Sequence, residues 1–134
     1  HTESMALADA MNRGFDALGG VKELRMKLGE LHARTPEAPS MMTPELQRLL
    51  GELEGTGGAP GQDSLPRLHG QLERLYTTLQ STDAAPTPQV LAAGAERRKA
   101  METLLSRWNG LRARELPALN AKLREAGLTP LSSP

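Results

Sequence analysis

Leu65, Leu68, Leu72, Leu75 and Leu79 recur at alternating steps of three and four. That spacing lines side chains along one stripe of a 3.6-residue helix. The same rhythm predicts a first helix from about Ser4 to Ala33, with Leu7, Met11, Phe15, Leu18, Val21, Leu24, Leu28 and Leu31 as its apolar positions. At 1.5 Å per residue it is about 45 Å long. Gly19 and Gly20 sit in its middle, each costing on the order of 1 kcal/mol relative to alanine, and the stripe shifts round the helix after them. A bend or a close helix contact is expected there.

Pro36 and Pro39 break the pattern before Thr43-Pro44-Glu45, which supplies an N-cap, a first-turn proline and an acidic first turn in order. A second helix follows with Leu46, Leu49, Leu50 and Leu53 on one face. It must stop at the glycine-rich stretch from Gly55 to Gly61, read as a mobile loop over 55–63. Asp63 or Ser64 caps the third helix, which carries the five-leucine stripe and ends near Thr82, before Pro86. Thr87-Pro88 repeats the start signal for a fourth helix whose apolar face is Val90, Leu91, Met101, Leu104, Leu105, Trp108 and Leu111. Pro117 then predicts a kink or a fresh short helix, running to Ala126 and ending at a left-handed Gly127. An extended tail, 128–134, remains, with Leu128 and Leu131 tacked onto the bundle. The expected fold is all-α: an up-and-down antiparallel bundle of three long helices plus shorter ones, kinked near Pro117, with the third helix most central.

Composition strengthens this picture. The chain has no isoleucine and two valines, so the usual material of strands is missing. With 134 residues it is read as a single domain, 1–134, and its start at His1 rather than methionine suggests a fragment or processed product of a larger protein. There is no cysteine, which removes disulfides and thiolate chemistry. Sixteen basic residues balance sixteen acidic ones, leaving no global attraction for nucleic acid. No apolar run approaches the roughly 20 residues of a membrane span.

Enzymatic signatures are sparse. The Glu-x-x-His pairs of di-iron bundles are absent, as are a P-loop, a dinucleotide fingerprint and a Gly-x-Ser-x-Gly elbow. No cofactor is implied and no residue is assigned to catalysis. His69 and Glu73, four apart on one helix face, form the edge of a metal site or, more simply, a surface pair. The densest basic content lies on the fourth helix, in Arg97-Arg98-Lys99, Arg107, Arg112 and Arg114. Arg97, Arg98 and Arg112 around Trp108 are the candidate partner-contact residues, because tryptophan and arginine dominate interface hot spots. The plainer reading puts Trp108 in the core and pairs the arginines with acids such as Glu52, Glu73 or Glu102.

The run from Trp108 to Leu128, above all Leu116-Pro117-Ala118-Leu119-Asn120 followed by Leu123-Arg124-Glu125-Ala126-Gly127-Leu128, resembles the C-terminal helical region of large bacterial sortilin-like, BNR-repeat β-propeller proteins, often labelled glycosidase-like. The resemblance covers about 20 residues. It implies an accessory domain of a periplasmic or extracellular protein whose propeller carries the ligand or catalytic site, and it transfers no catalytic residue to this chain. The sequence thus favours a non-catalytic accessory or interaction domain, its partner a protein or another domain of the same chain. Two other readings fit: a small helical metal protein or enzyme using His69 and Glu73, and a homo-oligomerisation module through the Leu65–Leu79 stripe.

Overall fold

A computed structural model of the chain describes residues 2–57, 60–81 and 85–134. Its elements are α1 (Thr2–Arg34), α2 (Ala38–Met41), α3 (Pro44–Glu54), α4 (Leu65–Ser81), α5 (Pro88–Gly110), a π turn (Leu111–Glu115) and α6 (Leu116–Glu125). No strand occurs among the described residues, and no helix there is long and apolar enough to cross a membrane. The all-α bundle expected from the leucine rhythm is the fold. The expected end of the third helix near Thr82 and the centre of the glycine-rich loop, 58–59, lie outside the described residues.

The start signals work as the sequence implies. Thr43 Oγ1 accepts from the Leu46 amide at 3.1 Å and Thr87 Oγ1 from the Val90 amide at 3.2 Å, each satisfying one amide orphaned at a helix start. For α4 the cap is Ser64, whose Oγ accepts from the Arg67 amide at 3.3 Å. Gly55 ends α3 with φ 84°, a left-handed conformation that glycine adopts without strain. The segment around Pro36 and Pro39 is not plain loop: Pro39 lies at the start of the single turn of α2, which buries Ala38.

Pairings between elements fix the topology. Glu3 meets Arg98, Gly14 faces Met101 and Gly20 faces Trp108, so α1 and α5 run the same way. Glu52 meets Arg107 and Thr43 meets Glu115, so α3 runs against them. α4 begins beside Gly55 and reaches Phe15 by His69, continuing the descent. The bundle is therefore up, down, up. Its descending limb is split into α3 and α4 by the glycine-rich loop, and its last limb is α5, the π turn and α6 in series. α1 packs on α2, α3, α4 and α5, which makes it the shared spine in place of the Leu65–Leu79 helix. Within that helix Leu65, Leu68 and Leu72 are fully buried, Leu79 nearly so and Leu75 half-buried, so the stripe packs into the core of the chain.

The first helix corrects the expected stripe. Its buried positions are Ser4 and then Leu7, Ala10, Gly14, Ala17, Val21, Leu24, Leu28 and Leu31, an unbroken alternation of three and four from Leu7 onward, whereas Phe15 is 64% exposed. The stripe does not shift at Gly19 and Gly20; its N-terminal half is simply built largely from small residues. They are small because α5 brings Met101 and Trp108 against them. A Cβ on Gly14 would lie 2.4 Å from Met101 Cε, and one on Gly20 would lie 2.7 Å from the Trp108 ring. The glycine pair thus marks a close helix contact, at Gly20 alone. Leu91, placed by its spacing on the inner face of α5, is 37% exposed.

The interruption at Pro117 takes the form of the π turn. The Leu116 amide donates to the Leu111 carbonyl, five residues back, and the wider turn moves aside the carbonyl that a proline ring would strike. Helix α6 ends at Gly127, φ 77°. There the Leu128 amide reaches the Leu123 carbonyl at 2.8 Å and the Gly127 amide the Arg124 carbonyl at 3.0 Å, the two bonds of a Schellman stop.

Two stability predictions follow from this packing. Gly19 has no atom within 4 Å of an added Cβ, so Gly19→Ala should raise the unfolding free energy by roughly 0.5–1 kcal/mol. Gly20→Ala should instead lower it, because the rigid Trp108 ring must move; urea melts of the two variants are expected to shift in opposite directions. Leu72→Ala should cost about 2–5 kcal/mol in the same assay, and a loss under about 0.5 kcal/mol would place Leu72 outside the core.

Candidate functional site

The four candidate contact residues share one helical limb but do not form one surface. Trp108 is 3% exposed and belongs to the core, so it cannot itself be the centre of a docking patch. Its indole lies against Gly20, with the Arg112 guanidinium over it at 5.0 Å from the ring centroid, a cation–π arrangement. Arg112 also donates to Asn109 Oδ1 and, at 3.4 Å, to the Pro134 carbonyl. Its Nε is buried without a hydrogen-bond partner.

Arg97 and Arg98 turn to other neighbours. Arg97 donates to Asp63 at 3.1 Å, Gln71 at 3.2 Å and Glu96 at 2.8 Å, tying α5 to the start of α4. Arg98 grips both carboxylate oxygens of Glu3 at 3.1 Å each. That fork-to-fork pair is seated by Gly94, where a Cβ would come within 2.7 Å of Glu3 Oε1. Fourteen residues separate Arg98 from Arg112, about 20 Å along a helix. The basic content of the fourth helix therefore serves mainly to hold the limbs together. Arg107 joins Glu52 at 3.6 Å, and Glu102 pairs with Arg13, whose guanidinium it pushes above its usual pKa mainly through their hydrogen bond. Of the three acids suggested as partners of these arginines, Glu52 alone takes that role, through Arg107; Glu102 pairs with Arg13 of α1 and Glu73 faces His69.

His69 Nδ1 and Glu73 Oε2 are 3.9 Å apart, and the imidazole sits 6.0 Å from the Phe15 ring. Among the described residues no third His, Cys, Asp or Glu gathers with them in the way a metal site requires. The pair has the geometry of an ordinary i,i+4 surface contact.

Two concavities are not foreseeable from the leucine pattern. A groove of about 470 Å³ opens between α1, α2 and α3, with Leu28, Leu31, Ala38 and Met42 in its walls and Arg25 and His32 beside them. A second, of about 390 Å³, lies beside Trp108 between Arg13, Asp16, Asn109 and Arg112, with Pro134 along its side. The residue missed by sequence reading is Asn120: its side chain donates to the Leu131 carbonyl and accepts from the Leu131 amide, both at 2.8 Å. No periodicity singles out an asparagine for such a role.

The chain matches no protein-family model, no curated protein and no solved structure.

Substitutions should separate structural from surface roles here. Trp108→Ala is expected to cost about 3–5 kcal/mol by urea melting, whereas Arg97→Ala, removing partly exposed pairs, should cost about 1 kcal/mol or less.

Proposed function

We propose that this chain is a non-catalytic helical accessory or protein-interaction domain, of the kind that accompanies the β-propeller in the proteins its last helix resembles, and that it works in the periplasm or outside the cell. The observation that carries the interaction reading is the outer face of α1. Met5, Ala8, Asn12, Phe15, Gly19, Lys22, Met26, Gly29 and Ala33 follow one another at steps of three and four along that helix. They form a second stripe parallel to the buried one. Three of its members, Met5, Phe15 and Met26, are large apolar side chains 73%, 64% and 60% exposed.

The glycines on this face support the reading further. Gly19 and Gly29 are exposed and an added Cβ would meet nothing within 4 Å at either. Each weakens the helix by on the order of 1 kcal/mol without improving any contact inside the chain. A partner lying close along α1 gives them a use. The arginines of α5 are engaged within the bundle, so the recognition assigned here is by shape and apolar contact rather than by a basic patch.

The test is a double substitution on that face. Phe15→Glu with Met26→Glu should leave the melting transition in place and abolish association with the adjoining domain of the parent protein; retained association would overturn the assignment of this face. The propeller part of the proposal predicts a run of β-strand repeats in the reading frame upstream of His1, and a frame without them removes that part.

A further inference from the structure

The segment after α6 is docked, and the way it is docked describes a binding site. Asn120 reads the backbone of a single residue, Leu131, through both its amide and its carbonyl. Lys27 Nζ, on α1, donates to the Ser132 carbonyl at 3.2 Å and to Ser132 Oγ at 2.9 Å. Arg112, on the π turn, reaches the Pro134 carbonyl, and the Pro134 ring lies 3.6 Å from where a Cβ on Gly20 would be. Leu128 and Leu131 are half-buried against the core. Three side chains from three elements thus hold a non-helical peptide largely by its main chain, with apolar contacts at every third residue, Leu128, Leu131 and Pro134. This is how extended peptides are recognised generally.

We propose that the groove between α1, the π turn and α6 is a receptor for an extended peptide of the pattern Leu-x-x-Leu-Ser-x-Pro, filled in one chain by its own residues 128–134 and able to take the same segment from a second copy. The segment is suited to this. Pro130 and Pro134 fix φ and carry no N–H, so an extended conformation leaves fewer unpaired donors and loses less entropy on docking. Gly127, already left-handed, is the hinge at which the segment departs from α6. Beyond the Leu128 amide, which belongs to the stop of α6, its hold consists of two half-buried leucines, the Pro134 ring beside Gly20 and side-chain bonds, few enough that it can open without melting the bundle. Exchange of an identical element between copies creates no new contact chemistry. The proposal deepens the interaction reading above, but its test touches neither Phe15 nor Met26, so each can fail alone.

The experiment uses full-length chains and a fluorescent synthetic peptide spanning 126–134. Leu131→Asp puts a carboxylate into the apolar slot and should unseat the resident tail. The resident tail competes at an effective concentration on the order of millimolar. The peptide should therefore bind the Leu131→Asp chain at least about ten-fold more tightly than the parent, and adding Asn120→Ala should weaken that binding about ten-fold again. Mixing the Leu131→Asp chain, which keeps the groove, with an Asn120→Ala chain, which keeps the tail, should give a mixed dimer by sedimentation that neither forms alone. Absence of peptide binding to a Leu131→Asp chain with an unchanged melting transition overturns the groove, as does binding indifferent to Asn120. Peptide binding without a mixed dimer overturns the second copy as its source. Should Leu131→Asp fail to fold, amide exchange on the unaltered chain decides: the Leu131 amide is expected to exchange by local opening, faster than the Leu104 amide and faster still with Asn120→Ala. Exchange at the rate of global unfolding overturns the proposal.

Discussion

The close approach of α1 to α5 is the constraint on which the other contacts depend. Met101 and Trp108 are large, and the space they occupy exists only because α1 presents Ala10, Gly14, Ala17 and Gly20 to that side. Interiors are packed to near-crystalline density, so one added methyl at such a contact is felt. With α1 and α5 parallel and in contact, the descending limb must lie in the remaining trough. The leucines of α3 and α4 fill it. Glycines that look like weaknesses in the first helix are therefore of two kinds: Gly14 and Gly20 make room for α5, while Gly19 and Gly29 face open space.

Electrostatics in this molecule sets register more than it supplies stability. Arg98 to Glu3, Arg25 to Glu54 and Arg97 to Asp63 each join different segments, and each is at least partly exposed, where a single pair contributes about 1 kcal/mol or less. Placed at two levels of the bundle, one at Arg97 and Arg98 and one at Arg25, they disfavour a slip of one limb by a turn, since such a slip leaves an arginine against the wrong neighbour. Balanced charge follows naturally: cations and anions are matched across limbs rather than collected on one face. An arginine cluster in a sequence is consequently weak support for an external anionic partner until its internal acids have been placed.

Much of the fold was legible. Thr43-Pro44, Thr87-Pro88 and Gly127 each act on the backbone locally, so their effect is independent of what packs nearby, and leucine spacing identified the buried face of α3 and α4 correctly. The first helix was misread in its N-terminal half because apolarity was taken as the mark of burial. There, the deciding quantity is volume, set by Met101 and Trp108 some 90 residues away, and the regular steps from Leu7 through Ala10, Gly14 and Ala17 to Val21 were the available signal. Of the candidate residues, the sequence weighed Trp108 correctly toward the core. It could not separate Arg97, Arg98 and Arg112, whose directions depend on acids in other limbs and on a π turn that shifts the helical phase after Gly110.

The π turn and the docked tail are one arrangement. A proline at 117 in a regular helix loses a hydrogen bond and strikes the preceding turn; the wider turn accommodates it and re-aims the residues on either side. Arg112 sits inside that turn, over Trp108 and within reach of Pro134, while Asn120 follows about two turns later, bonded to Leu131. With a residue at 117 that permits a regular helix, 111–115 would return to 3.6 residues per turn, and the changed phase would keep the Arg112 and Asn120 side chains from addressing the same segment. A local irregularity forced by one proline thereby aligns two polar side chains along a groove, which is why the most specific recognition in the molecule lies beside its least regular turn.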